Sequence, residues 1–473
     1  MNHSMKRILQ AVSFSFLANV ISMVISTVVI AIVPKAIGQA EYGYYQLYLF
    51  YAAYTGFFHL GWCDGIYLRY GGIDYEDYDR PLISSQFWAL TALEAVVTLG
   101  LILGVSCLGF QADKRLVLTL AALSIVFVIP KTLVSYLLQI SNRIREYSCM
   151  VILEKLICFL LTVALLALGY RDYVLLIAAD IAGKGAALLL GCWYCRDIVL
   201  SRMCGFSLAM KEAWQNISVG VKLLAANISS MLILGIVRFA IEDHWSIETF
   251  AKVSLAISVS NLLMLFINSV GVVLFPILKR METESLRQIY KSLRTALMVL
   301  LFAMLACYYP LQWVLNLWLP DYAESFRYMS ILFPMCVYDC KMALLINTYL
   351  KALRKERQLL WINVATVLLS CAFTYVCVYL LESVPLSMGL VVLLFAFRGT
   401  VSELLLGRYI QQSFLVENLL DVAICAIFIG ISSLLPMYLA GGLYLLVYVG
   451  YVFCRRDVIR ELLGNLKRMR NPS

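Results

Sequence analysis

Long apolar runs constrain this chain more than any other feature. Hydrophobic residues make up 62% of its 473 positions and charged residues only 14%. One soluble core of this size cannot hide that much apolar surface. The runs are about 20 residues or longer, enough to cross a ~30 Å hydrocarbon layer as helix. Spanning strands would need segments of roughly 10 residues with strict alternation, which the sequence lacks. The run from Ile8 to Val33 is too long for a signal-peptide core and has no small-residue cleavage site, so it reads as the first span. The fold class expected is all-α: a polytopic membrane protein of about 14 transmembrane helices.

The fourteen candidate spans are 8–34, 42–67, 83–110, 116–140, 148–169, 173–195 and 217–241 in the first half. The rest are 249–275, 293–319, 326–350, 359–381, 386–410, 418–439 and 440–454. Leu17 to Leu47 is an apolar run ending at Pro34, then a polar turn, then Tyr42-Gly43 opening a second run. A shift of about 208 positions brings Ala18, Asn19, Ser22 and Met23 onto Ala226, Asn227, Ser230 and Met231 without a gap. Tyr42-Gly43 then meets Phe250-Ala251. A match across two helices and their loop indicates parallel repeats of the kind transporters use. The expected organisation is an N-lobe at 1–200 (helices 1–6), a C-lobe at 201–412 (helices 7–12), and two further helices with a basic tail at 413–473.

Basic residues set the orientation. With the N-terminus inside, about 25 lie on inner segments, Arg143, Arg202, Lys211 and Arg294 among them. The outer loops hold only Lys35, Lys114, Arg115, Arg171 and Arg327. Both termini are then cytoplasmic, in a cell membrane protein. The tail from Arg455 to Ser473 reads as a basic amphipathic helix on anionic lipid. The net charge of +9 is spread over short loops and forms no nucleic-acid patch. The largest loop, about Arg196 to Asn216, joins the two lobes.

An enzyme is not expected. Asp77-Tyr-Asp79 has metal-nucleotide spacing but sits in a short loop, where it reads as a solvated acidic turn. No phosphate-binding GxxxxGK[ST] sequence is present, and His3, His59 and His244 form no cluster. Fourteen cysteines are scattered through apolar segments as small hydrophobes. Cys192-Trp-Tyr-Cys195 lacks a second pair or nearby His, so neither metal nor cofactor is expected.

Charges inside the spans carry the functional reading, because each costs about 2.5–3.5 kcal/mol at the helix centre unless it faces a polar interior. The cavity candidates are Lys131, Lys341 and Arg398, which have no obvious partner at helical spacing, then Lys184, Lys222, Arg238 and Lys252. Lys131 follows Pro130, and a disrupted helix bearing a midplane charge marks transport sites. Lys222 and Lys252 also lie near enough to span ends to snorkel, and Arg238 does so on the outer side. Asp180 and Lys184 share a helix face and can pair. Ser15, Asn19, Ser22 and Ser26 form a polar stripe on helix 1, matched by Asn227 and Ser230 on helix 7. These stripes face either a central cavity or a packed seam. Asp64 and Glu94 are the buried acids a cation antiporter would use.

An ordered motif set gives a resemblance. It comprises Pro34-Lys-Ala-Ile-Gly38 with Glu41-Tyr42-Gly43, Gly61-Trp-Cys-Asp-Gly65 leading to Arg69-Tyr70, and Gln139-Ile-Ser-Asn142-Arg143. Leu353-Arg354-Lys355 and the turn Trp318-Leu-Pro-Asp-Tyr322 complete it. The chain resembles, over nearly its whole length, the polysaccharide repeat-unit flippases, the O-antigen and capsule exporters of the multidrug/oligosaccharidyl-lipid/polysaccharide superfamily. That resemblance implies an alternating-access carrier of an undecaprenyl-diphosphate-linked oligosaccharide, with membrane lipids and a coupling ion (H+ or Na+) as further partners. One departure stands out. Helix 1 has no basic residue, whereas related peptidoglycan-precursor flippases carry arginines there. The alternative is a multidrug/cation antiporter of the same superfamily.

Overall fold

The computed structural model describes residues 3–279, 283–353 and 355–456, with side chains except at 3–13, 15–16, 263, 265–289, 351–352 and 356. The expected tail helix falls largely outside the described residues, as does the side chain of Ser15. Among the described residues every regular element is helical. Within the bilayer a helix satisfies each backbone N–H and C=O internally, which these apolar runs require. The chain divides into two compact units, Met1–Ile228 with Ser246–Ala251, and Ser229–Trp245 with Lys252–Ser473.

The first unit holds α1 (His3–Ile37), α2 (Gln39–Thr55), α3 (Trp62–Arg69), α4 (Arg80–Cys107), α5 (Ala112–Ile140), α6 (Ile144–Ala167), α7 (Tyr173–Tyr194) and the short α8 (Arg196–Val199). It also holds the first part of α9 (Phe206–His244). The start of α10 (Ile247–Lys279) belongs to it as well, the rest of α10 to the second unit. Then follow α11 (Thr283–Ala306), α12 (Tyr308–Trp318), α13 (Ala323–Leu332), α14 (Met335–Lys341) and α15 (Asn347–Ala352). The chain ends with α16 (Glu356–Tyr375), α17 (Val384–Ile410), α18 (Leu415–Leu434) and α19 (Met437–Cys454).

Eleven helices among the described residues are long and apolar enough to span a membrane, and a twelfth span is the pair Pro320–Leu332 and Met335–Leu350, bent by 46°. The two remaining expected spans fall on α2 with α3, which a turn interrupts, and on α10. This is a multi-pass membrane protein, and its surface has the matching pattern. On α4, Val96, Leu99 and Leu103 are more than half exposed while Glu94 is fully buried. That polarity is the reverse of a soluble helix and suits a lipid-facing surface.

Local signals place the breaks. Asp79 caps α4 by accepting from the Leu82 N–H at 3.1 Å, and Asp172 caps α7 through Val174 at 2.7 Å. The acidic turn at Asp77-Tyr-Asp79 is thus used for capping. Gly38, at φ +84°, separates α1 from α2. The matching break between α9 and α10 is Trp245-Ser246, so the shift of about 208 carries one helix junction onto the other. At Gly43 an added Cβ would come within 2.6 Å of the Ile247 carbonyl oxygen. The rings of Phe50 and Phe250 lie 5.9 Å apart beside it.

Pro130 does not disrupt its helix, because α5 runs unbroken from Ala112 to Ile140. Membrane helices accommodate proline when neighbours cover the freed carbonyl. Helical irregularities lie instead beside Lys341, where a π-helical turn, Met342–Ile346, follows α14, and after α16, at Val376–Leu380. Such turns recur at functional positions.

Small residues bring α6 and α7 together. Ala179, Gly183, Ala187 and Gly191 recur every fourth residue on α7, and all are buried. A Cβ on Gly183 would sit 2.6 Å from the Glu154 carbonyl oxygen, whereas one on Gly185 would meet only Phe127 at 3.6 Å. Gly183→Ala is therefore expected to lower stability by about 1–3 kcal/mol. Gly185→Ala should leave the unfolding midpoint of the purified protein unchanged or raise it. Equal effects of the two substitutions would contradict this seam.

Candidate functional site

Each unit carries a cluster of charges within its membrane-spanning helices, and the two differ in openness and balance. In the first unit the α6–α7 seam sets Glu154 beside the face of α7 that bears Asp180 and Lys184. Lys131 reaches across from α5 and its Nζ lies 2.6 Å from Glu154 Oε2. Lys184 Nζ lies 2.6 Å from Asp180 Oδ2, one turn away on the same helix. Tyr48, from α2, donates its hydroxyl hydrogen to Asp180 at 2.8 Å. Lys155 acts electrostatically on the same carboxylate. Lys131, Lys155 and Lys184 outnumber Glu154 and Asp180, so the group carries one net positive charge. The side chains of Lys131 and Glu154 are each 17% exposed. The sealed cluster of the second unit has no such exposure.

In the second unit the cluster is sealed. Lys341 Nζ donates to Glu403 Oε2 at 2.9 Å, Asn418 Oδ1 at 2.9 Å and Asp421 Oδ2 at 3.1 Å. Arg294 bonds both acids, Glu403 at 2.7 Å through Nε and Asp421 at 2.6 Å through Nη2. The Tyr290 hydroxyl donates to Glu403 at 2.9 Å. Two cations face two anions, and all are buried. Four helices, α11, α14, α17 and α18, are joined at this point. Removing one partner of such a set strands the others.

The three deep cations are therefore not alone, which corrects their reading as unpartnered. Their partners all come from other helices, and helical spacing does not reveal them. Lys131 pairs with Glu154 and Lys341 with Glu403 and Asp421. Arg398 donates through Nε to Asn363 at 2.9 Å and lies 4.0 Å from Asp339. Arg294, expected on an inner segment, is buried in the sealed cluster.

The remaining candidates are dispersed. Lys184 joins the first cluster. Arg238 donates to Ser254 at 3.0 Å, and Lys252 pairs with Glu324. Lys222 and Asn227 are exposed, and Asn19 is half-buried. Sequence spacing did not bring forward Tyr48, Tyr290, Asn418 or Asp421. The only signal available for Asp421 was an acid three residues after Asn418 inside an apolar run.

Two acids of the first unit stand apart from its cationic group. Glu94 is fully buried with neither carboxylate oxygen hydrogen-bonded among the described residues. Asp64 lies 4.0 Å from His59 and accepts a long hydrogen bond from Tyr136 at 3.5 Å. No group of three or more His, Cys, Asp or Glu able to hold a metal occurs among the described residues.

The arrangement of helices is that of the MATE fold. The chain is similar to an inward-facing multidrug resistance MATE family transporter of the MOP superfamily, with TM-score 0.63 and 12% identity over 84% of this chain and 94% of that one. It is similar to the outward-facing form of such a transporter, at TM-score 0.59 and 12% identity over 85% of this chain and 94% of that one. A MOP superfamily transporter from Pyrococcus furiosus, described as having a binding pocket of reverse polarity, gives TM-score 0.55 and 13% identity over 85% of this chain and 95% of that one. At these identities the likeness is one of fold. No family model and no curated protein matches the chain.

The sealed cluster makes a direct prediction. Glu403→Gln leaves Arg294 and Lys341 undercompensated and is expected to cost on the order of 3–5 kcal/mol, read as a large fall in the unfolding midpoint in detergent. Glu154→Gln, in the more open group, is expected to cost about 1 kcal/mol or less. The reverse order would contradict the assignment of sealed and open roles.

Proposed function

We propose that this chain is an exporter that works by alternating access, and that its cargo is an undecaprenyl-diphosphate-linked oligosaccharide repeat unit for surface polysaccharide synthesis. The observation that carries the reading is the partly open group of Lys131, Lys155 and Lys184, whose charge exceeds that of its acids by one. A MATE-like fold, known in inward- and outward-facing forms, supports the transport mode. The ordered motif set supports the cargo. The lobes proposed are 1–200 and 201–412, with 413–473 as an addition and both termini in the cytoplasm.

The chemistry follows from the group. In the unloaded protein Glu154 and Asp180 neutralise Lys131 and Lys184, and Lys155 supplies the one charge in excess. A diphosphate brings stronger acceptor oxygens and displaces the carboxylates from Lys131 and Lys184. The sugar needs a wet path, because its hydroxyls would otherwise lose their water. The lipid tail stays in the bilayer. With the cell interior negative, each anionic charge moved outward gains about 2.3 kcal/mol per 100 mV. Lys341 and Arg398 are assigned to holding the helices of the second unit together, and Lys222, Arg238, Lys252, Asn19 and Asn227 are given no contact with the cargo.

Vesicles containing the purified protein and a fluorescent lipid-diphosphate oligosaccharide provide the test. Lys131→Gln and Lys184→Gln are each expected to slow translocation about tenfold or more, the loss of one charge-assisted contact. Unchanged rates in both, with protein levels equal, would overturn the site.

A second reading is a multidrug or cation antiporter. Glu94, buried with neither carboxylate oxygen hydrogen-bonded among the described residues, and Asp64, buried beside Tyr136 and His59, favour it. It expects Glu94→Gln to abolish transport driven by a proton gradient while Lys131→Gln does little. The first reading expects the opposite ranking.

A further inference from the structure

The segment before the seventh span has two faces. One is fixed to the first unit. Ala209, Ala213 and Asn216 on α9 are buried, and Gln86 of α4 donates to the Ala209 carbonyl at 2.9 Å. Arg69 binds Glu212 and Asn216. A Cβ on Gly220 would collide with the Gly61 carbonyl oxygen, so the backbones touch there.

The other face is bare and apolar. Phe206 is 79% exposed and Trp214 72%, and Met210 between them is also exposed. These three recur every fourth residue, and Val221 continues the stripe into the span. Leu200 and Met203, just before the helix, are exposed as well. A monomer in water would not present such a row.

Length gives the same answer. The 39 residues of α9 extend about 58 Å at about 1.5 Å each, against roughly 40–45 Å for a bilayer with its headgroups. The first turns therefore reach the headgroup layer or beyond it. Aromatic residues such as Trp214 settle in that layer. Arg202 and Lys211 flank the stripe, are exposed, and have no acidic partner among the described residues. They complement acidic headgroups.

We infer that the exposed face of 200–214 is a binding surface for anionic phospholipid, on the side of the membrane that carries the basic loops. Continuity of the stripe with the lipid-facing span and the two unpaired cations both point to that occupant. The segment lies within the first unit, on the helix that continues past Ile228 into the second. Lipid held there anchors the start of α9 to the membrane surface. This inference is independent of the cargo, although its side of the membrane follows from the loop charges.

Brominated lipids test it on the full chain in phosphatidylcholine vesicles. The Trp214 contribution to fluorescence is taken as wild type minus Trp214→Phe. A minor fraction of brominated phosphatidylglycerol is expected to quench that contribution more than the same fraction of brominated phosphatidylcholine. In the Arg202→Gln/Lys211→Gln variant the preference should fall by up to about fivefold per charge removed. Absence of quenching by either lipid would overturn the membrane contact. Equal quenching by both in the wild type, or an undiminished preference in the variant, would overturn the anionic site. None of these outcomes depends on transport, so they leave the exporter reading to its own test.

Discussion

A charge inside a membrane helix must find its opposite, and much of this protein is arranged around that requirement. Isolated in hydrocarbon, each ion would cost several kcal/mol. Here the ions of α5 and α6 meet one another, those of α7 pair along one face, and Arg294, Lys341, Glu403 and Asp421 lock four helices together. Neutralisation brings these helices together as much as apolar packing does. Lipid tails are as apolar as leucine, so close packing of small residues and polar pairing, rather than the hydrophobic effect, select the arrangement.

The two clusters divide the work. The second-unit group is neutral and closed to solvent, which suits a fixed joint. The first-unit group is partly open and holds one excess cation, which suits exchange. Its helices α6 and α7 meet along the Ala179, Gly183, Ala187 and Gly191 seam, which holds the backbone beneath Glu154, Asp180 and Lys184.

Much of the fold was legible in the sequence because span length and apolar content are properties of one helix at a time. The shift of about 208 positions also places the Gly38 break on Trp245-Ser246. The pairings were legible only where both partners share a helix, as Asp180 and Lys184 do. Lys131 and Glu154 are 23 residues apart, and Lys341 and Asp421 are 80 apart. Nothing in spacing encodes such contacts; they arise from which helix faces which. Pro130 misled for the same reason, since its neighbours decide whether proline breaks a membrane helix. Arg294 was placed by its proximity to a basic loop, and α18 supplied the acid that draws it inward.

If the proposed export reading holds, a diphosphate and the acids of the first unit compete for the same lysines. Binding of undecaprenyl diphosphate to the purified protein, compared between wild type, Glu154→Gln and Lys131→Gln, tests it most directly. Competition predicts that Glu154→Gln binds more tightly than wild type and Lys131→Gln more weakly. If Glu154→Gln binds no better, or if Lys131→Gln binds as well as wild type, the exchange does not take place at this group.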